Sequence, residues 1–494
     1  MIFPSRIAFA LIALPLLSAL HGHATLAYAV EFTEIRVVLD EGAVSQVVAG
    51  ELAWSTGDSA AIGNSHGETS VGLSGVEVSI KLAGQAHYAS QLVATAKSGY
   101  VRYEGHDYRG RLELLPGKAG GVVVLNVLAL EDYLLGVVPA EMPASWPVEA
   151  LRAQAVAART YALSRMMAQD GATYDVLATE SDQVYHGVSG EDPRTSQAVA
   201  DTAGQILTYG GVPIIAYFSA DAGGYTRAGS EPYLRPVPCP ADQSPYNGWQ
   251  FELSAEELNE LAAAAGAGPG PVTGITAQYD GLSGHLQSIM LSASGGSCTL
   301  QGSEFRRFVG RGVMKSTRVE LAPIGAANVT VVAAGSLEST APPPAATATS
   351  FDTAVLQDYQ RPWVANNNEL NGLKLRTLYA FNGWDMRKCT GSVHVFTGLL
   401  HNPVAFTPPK ATAQTTEIAG NGPLEGLLVT GNGYGHGRGL SQWGARQMAE
   451  GGAPYREILL HFYSGVELVQ WNGDVPAPIA EPGHGFYDPY IPGS

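Results

Sequence analysis

An α+β fold, with a mainly antiparallel sheet and packed helices, is what this sequence predicts, and three observations predict it. Residues 31–126 consist of short runs rich in β-branched and aromatic residues, broken by Gly, Asn and Asp. Their alternation suits half-buried strands. An alanine-rich stretch beginning at Pro147 then carries apolar residues at helical spacing. Further β-rich runs follow, joined by glycine turns such as Gly210-Gly211. The composition agrees: of 494 residues 45% are hydrophobic and 15% charged, with 59 Gly and 30 Pro. That describes a loop-rich globular protein rather than a coiled coil or a disordered chain. The length exceeds that of one ordinary domain, so several packed units, or one domain with large insertions, are expected.

Taken in order, the chain opens with Arg6, a mostly apolar run over residues 7–20, and the small-x-small triplet Ala27-Tyr28-Ala29. That is the order of an export signal cleaved after Ala29, with Ala24 as another site. An uncut anchor is disfavoured, because the apolar core falls short of the roughly 20 residues a membrane span needs. The expected location is therefore the periplasm, cell wall or extracellular space, with no stable membrane span after cleavage. "IRVVLD", "VEVSIKLAG", "SGYVRYEG" and "GGVVVLNV" read as strands. The helix expected over residues 147–169 takes Ser145 as its cap and Asp170-Gly171 as its stop. Val148, Leu151, Ala155, Ala158 and Ala162 form its inward stripe.

A second helix is expected in "RTSQAVADTAGQ", then a hairpin around Gly210-Gly211. A short helix follows in "SAEELNELAAAAG", where Ser254 and Glu257 have capping-box spacing. After more strands, "STAPPPAATATS" and "FTPPKATAQTTEIAGNGP" read as linkers. They flank a stretch containing Trp363, Leu378, Phe381 and Trp384, enough for a small subdomain.

Charge and cysteine content exclude several functions. The net charge is −17 with no Lys/Arg cluster, so the positive surface that phosphate backbones require is missing and nucleic acid is not an expected partner. An exported chain can oxidise a pair among Cys239, Cys298 and Cys389, and the reading is Cys239 with Cys298 or with Cys389. There is no C-x-x-C, no H-E-x-x-H and no compact ligand set, so neither a metal nor another cofactor is expected.

Three stretches could carry chemistry. Glu141 stands between Pro139 and Pro143, close to Met142 and Trp146. Apolar surroundings would raise a Glu pKa toward that of a general acid; alternatively the carboxylate complements the positive end of the following helix. "GNGYGHGRG" has glycines only at odd positions, so no nucleotide-binding G-x-G-x-x-G fits it. It suits an extended segment pressed against another backbone or a ligand, with Tyr434, His436 and Arg438 on the other side and Ser441 capping a helix. "YFSADAGGYT" offers Ser219 and Asp221 without a G-x-S-x-G elbow, which favours a hydroxyl lining a polar groove over a nucleophile.

Together these blocks resemble the SpoIID/LytB family of bacterial cell-wall proteins. The similarity runs through "VLNVLALEDYLLGVVPAEMPASWPVEALRAQAVAARTYAL", "SDQVYHG", "AVADTAGQILTYGGVPIIAYFSADAGGYT", "GSEFRRFVG" with "MKST", and "GNGYGHGRGLSQWGARQMAEGG", in order. The resemblance implies a curved, mainly antiparallel sheet with helices forming a long groove, a β-rich N-terminal region and a large insertion. It divides the chain into residues 1–29 (signal), 30–107 (β-rich region), 108–321 (core), 322–426 (insertion), 427–470 (return of the core) and 471–494 (tail).

The activity implied is that of a peptidoglycan lytic transglycosylase, which cuts glycan strands between MurNAc and GlcNAc and leaves 1,6-anhydroMurNAc ends. Glu141, in "PAEMP", matches the family's catalytic glutamate. Gln183, Tyr185, Ser219, Gly223, Gly224, His436, Ser441 and Gln442 match groove-lining blocks and are the expected substrate contacts. Arg159 also matches, as a groove residue or a buried ion-pair partner. The second activity the family implies is non-catalytic enhancement of an N-acetylmuramoyl-L-alanine amidase, with that amidase as partner. The zinc site of some members is not expected, because "TYDVLATESDQVYHG" lacks cysteine.

Overall fold

The computed structural model describes residues 34–325 except 119, 170 and 240, the segments 330–334, 378–381 and 386–389, and residues 414–471 except 420 and 421. The expected export signal, "STAPPPAATATS", Trp363, Trp384 and the tail from 472 lie outside the described residues, as do the side chains of Leu378, Phe381 and Cys389. The fold is α+β with mainly antiparallel sheets. The chain forms two compact units, Met1–Tyr217 with Gly465–Ser494, and Phe218–Ser464.

The first unit begins with ten strands: β1 (Glu34–Glu41), β2 (Ser45–Thr56), β3 (Ala61–Ser74), β4 (Glu77–Leu82), β5 (Gln85–Ala89), β6 (Leu92–Ala96), β7 (Val101–Tyr103), β8 (His106–Tyr108), β9 (Arg111–Pro116) and β10 (Val122–Ala129). They join β11 (Val176–Leu177) in one sheet of order β11-β1-β10-β9-β6-β2-β3-β4-β5, with the β7–β8 hairpin attached to β2. Only β11 lies parallel to its neighbour. Most strands alternate, as β4 does with Val78, Ile80 and Leu82 buried. β10 instead buries Val122 through Leu128 without a break, the pattern of a strand covered on both faces, and Asn126 is its one polar residue.

Helix α1 (Leu130–Glu141) follows directly and includes Pro139. No element is assigned to this stretch from the sequence, and Pro139 falls inside the helix. The break falls only at Met142, whose backbone is extended, as the residue before a proline prefers. Helix α2 (Val148–Ala168) starts where expected, but Pro147 occupies the cap position without a side-chain cap, so Ser145 is not the cap. Its stripe is also wider than expected. Ala150, Leu151 and Ala153–Ser164 are all buried, as in a helix packed on every side; Val148, in the first turn, is 40% exposed.

Arg159 of α2 is fully buried and makes a paired contact with Glu131 of α1 at 2.6 and 2.8 Å, while donating to the Val199 and Gln205 carbonyls. Of its two readings, the ion-pair partner is the one observed. Helix α3 (Pro193–Asp201) is capped by Asp192. β12 (Gln205–Tyr209) and β13 (Val212–Pro213) make the hairpin expected at Gly210-Gly211, and residues Glu467–Gln470 pair with β12.

The second unit contains β14 (Phe218–Ser219), β15 (Gly224–Tyr225), β16 (Pro238–Cys239), β17 (Trp249–Ser254), β18 (Val272–Tyr279), β19 (Leu286–Ala293), β20 (Gly296–Gln301), β21 (Val319–Pro323), β22 (Thr330–Ala334), the hairpin β23 (Leu378–Phe381) and β24 (Met386–Cys389), β25 (Gln414–Ala419), β26 (Gly426–Gly431) and β27 (Leu440–Ser441). Its larger sheet has the order β20-β19-β18-β25-β22, and a smaller one β17-β26-β21. They share a core that includes Ile275, Ile289, Leu291, Phe305, Leu427 and Val429. The expected Ser254/Glu257 capping box opens helix α4 (Ala255–Ala264). Helices α5 (Gly302–Val309), α6 (Gln442–Glu450) and α7 (Tyr455–Phe462) complete the unit.

Two expectations fail here. Residues Gln414–Ala419, read as part of a linker, form β25, because "QTTEI" completes the sheet between β18 and β22. Cys239 and Cys298 are both free and buried. Cys239 packs beside Gly444 of α6, whereas the Cys298 thiol lies 3.9 Å from the Ala262 carbonyl of α4, so they occupy separate places in the unit.

Candidate functional site

Glu141 is the last residue of α1 and is half-buried, beside the fully buried Met142. It sits at the negative end of its own helix, several residues before α2 begins. The Val184 amide donates to its Oε1 at 3.0 Å. Val184 belongs to the Q-x-Y block, and both flanking side chains point inward. Gln183 is fully buried; its Nε2 donates to the Ala158 carbonyl of α2 at 3.3 Å, and its Oε1 accepts from the Tyr133 hydroxyl at 3.3 Å. Tyr185 is 4% exposed, and its hydroxyl donates to Asn126 Oδ1 at 2.9 Å. Asn126 Nδ2 in turn donates to the Arg109 and Arg111 carbonyls.

The Tyr185 ring lies 5.0 Å from that of Tyr133 and 6.0 Å from that of Tyr108. Burial raises all three phenols, that of Tyr108 to about 12, so they stay protonated, and those of Tyr133 and Tyr185 act as donors. The other acid of the block, Asp182, is engaged elsewhere: it accepts from the Tyr161 hydroxyl and the Leu177 amide and lies 3.1 Å from the Arg165 guanidinium.

The remaining expected contacts belong to the second unit. β14 and β27 pair in parallel, setting Ser219 beside Ser441. Ser219 Oγ accepts from the Gly437 amide at 3.2 Å. Ser441 Oγ caps α6 through the Gly444 amide and also accepts from the Ala222 amide. Gln442, the first residue of α6, is buried. Gly223 is buried and Gly224 exposed.

The glycine segment is not the extended strand expected. Gly433, Gly435 and Gly437 have φ of 85°, 114° and 72°, so the chain coils, which glycine does without strain. It is pressed against another backbone as expected: a Cβ on Gly433 would come within 2.6 Å of the Asp221 carbonyl, and one on Gly435 within 2.6 Å of Ser219 Cβ. His436 is half-buried, and its Nδ1 accepts from the Arg438 amide at 3.0 Å. Burial, then the nearby Arg438, Arg306 and Arg227, push it down to about 3, so it is neutral.

Sequence reasoning missed His285, which is fully buried below Gly437. Its Nε2 faces the Tyr225 carbonyl and must donate to it, leaving Nδ1 to accept from the Thr317 hydroxyl at 2.9 Å. Burial, with smaller contributions from Arg227 and Arg318, lowers it to about 4. It lines an open polar cleft with Arg227, Asp280, Gln287 and Gln301. Asp221 is fully buried, and burial raises its pKa; Oδ1 accepts from the Gly223 amide. Among the described residues, no three His, Cys, Asp or Glu converge as a metal site, and no helix is long and apolar enough to cross a membrane.

Comparison with known proteins places these features. Residues 118–209, which include α1, Glu141, α2 and the Q-x-Y block, match the family model described as stage II sporulation protein. The similarity to the SpoIID family is thus found over residues 118–209. It is 27% identical over 392 residues to an uncharacterised protein of Brachyspira hyodysenteriae (strain ATCC 49526 / WA1), covering 78% of each chain. It is 29% identical over 346 residues to the amidase enhancer of Bacillus subtilis (strain 168), covering 68% of this chain and 40% of that one. It is 33% identical over 206 residues to stage II sporulation protein D of the same organism, covering 37% and 58%. The chain therefore spans less than two thirds of the length of both Bacillus proteins.

Proposed function

We propose that this chain is an exported lytic transglycosylase acting on peptidoglycan glycan strands, with Glu141 as its general acid and base. The family match and the named relatives support a cell-wall-related function. The observation that carries the finer reading is a half-buried carboxylate at a helix end, accepting from the Val184 amide inside the matched region. A glycosidase that uses water needs a second carboxylate to activate the water or act as nucleophile. Asp182, the neighbouring acid, is committed to Arg165, Tyr161 and Leu177.

A lytic reaction needs only one acid. Glu141 protonates the glycosidic oxygen as the bond to the MurNAc anomeric carbon breaks, then takes the proton of the C6 hydroxyl as that oxygen closes the 1,6-anhydro ring. The proton given up is regained, so no water is consumed. Ser219, Gly223, Gly224, His436, Ser441 and Gln442 are proposed as groove residues of the second unit. His436, held neutral, offers a polar group without charge. Digestion of purified sacculi followed by mass spectrometry tests the reading: the native chain releases anhydro-muropeptides and Glu141→Gln does not. Equal release by the variant would refute it.

The match to the amidase enhancer over 68% of this chain favours a second reading, a wall-binding protein that stimulates an N-acetylmuramoyl-L-alanine amidase. Binding to sacculi without fragment release in the absence of amidase, and faster amidase turnover in its presence, would select it.

A further inference from the structure

Val184 of the Q-x-Y block makes a polar contact with Glu141, and that contact is a backbone amide. A backbone amide cannot be aimed by its own side chain; it is aimed by whatever fixes the peptide units on either side. Here both neighbours are fixed, to different elements. Gln183 is tied to α2 through the Ala158 carbonyl and to α1 through the Tyr133 hydroxyl. Tyr185 is tied to β10 through Asn126, whose own amide donors are spent on the Arg109 and Arg111 carbonyls. Its ring is seated against Gly136 of α1, where even a methyl group would approach to 2.7 Å.

We propose that Gln183 and Tyr185 are positioning residues rather than sugar contacts: anchored by Tyr133 and Asn126, they clamp the peptide between them so that the Val184 amide holds the Glu141 carboxylate in one orientation. The burial of both side chains and the use of their polar atoms inside the unit leave little of either to meet a glycan. The clamp gives the network a purpose beyond packing, because fully satisfied buried networks specify a single local geometry. A reacting group displaced by about 1 Å can lose about a hundredfold in rate. This inference rests on the reading of Glu141 as the acid and base.

Two readouts test it on the full chain, one independent of catalysis. In a labelled sample titrated with acid, the Val184 amide proton and nitrogen resonances should follow the ionisation of Glu141, and Glu141→Gln should abolish that response. Tyr185→Phe and Tyr133→Phe should each weaken it. Tyr103→Phe, which removes a buried hydroxyl bonded to Gln46 elsewhere in the unit, should not, even where its melting temperature falls as far. In glycan cleavage, the first two variants should lower kcat by about ten- to a hundredfold with KM within about twofold.

An unchanged Val184 response in Tyr185→Phe and Tyr133→Phe would overturn the clamp, as would a raised KM with unchanged kcat, the mark of a sugar contact. If Tyr185→Phe does not fold, Tyr133→Phe carries both readouts. If Glu141→Gln cleaves normally, the catalytic reading fails, whereas the amide response still decides whether the clamp exists.

Discussion

Gly136 shows how far a single residue departs from its propensity. In an exposed helix interior Gly→Ala gains up to about 1 kcal/mol. At Gly136 the added methyl would meet the Tyr185 ring at 2.7 Å and the Gly187 carbonyl at 3.0 Å. Overpacking of that kind costs about 1–3 kcal/mol, so Gly136→Ala should lower stability in chemical denaturation instead of raising it. Arg159 makes the complementary case. Arg159→Leu removes a donor from the Gln205 and Val199 carbonyls, the latter still accepting from Thr202, and takes the guanidinium away from Glu131, which keeps the Gly204 amide. Glu131 is 42% exposed and can be rehydrated, so the loss comes mainly from the interior and should be about 1–3 kcal/mol. Denaturant unfolding of the variant reads it.

At the scale of elements, a few junctions set the candidate groups. α1 runs through Pro139 to end at Glu141, because the sheet delivers β10 directly into it and α2 packs along it. In the second unit the two-residue pair β14–β27 is too short to hold itself, and Ser441 adds to it by accepting from two amides, Gly444 and Ala222. Ser441→Ala therefore removes a helix cap and a tie together. It should cost about 1–2 kcal/mol and raise hydrogen exchange around residues 219–224 and 440–445, with α4 unaffected.

For the molecule as a whole, acid sensitivity is expected to concentrate in the second unit. His285 and His436 are lowered to about 4 and about 3, and His461 is lowered too. Unfolded histidines take up protons below about pH 6.5, whereas these stay neutral in the fold, so their contribution is full above that pH and is lost as pH falls. Each can contribute a slope of up to about 1.4 kcal/mol per pH unit. Asp221 and Glu457, both raised by burial, act in the opposite sense: their contribution is full on the acid side and is lost as pH rises through the folded values. Net protection against hydrogen exchange in peptides from 218–464, corrected for intrinsic rates, should fall between pH 6.5 and 4.5. His285→Asn should flatten that fall. A flat profile in the native chain would refute the assignment.

The α+β class, the hairpin at Gly210-Gly211 and the Ser254/Glu257 cap were legible because local patterns govern them: alternation, a turn that tolerates positive φ, a side chain three residues from the amide it caps. The sequence by itself also determined the order of the blocks that mark the SpoIID domain. What it could not show depends on partners distant along the chain. Asn126, the lone polar residue of an apolar strand, carried the one signal open to a sequence reading. Its partner Tyr185 lies 59 positions away, and Val184 meets Glu141 across 43. α1 carries no assignment in the sequence, and packing against α2 and the sheet supports it through Pro139 in the fold. The thiols stayed apart for the same reason: proximity belongs to the tertiary structure, and Cys239 and Cys298 are buried in different places. Composition and motif order determined the class of this protein, whereas only the packed backbone decided how its acid is held.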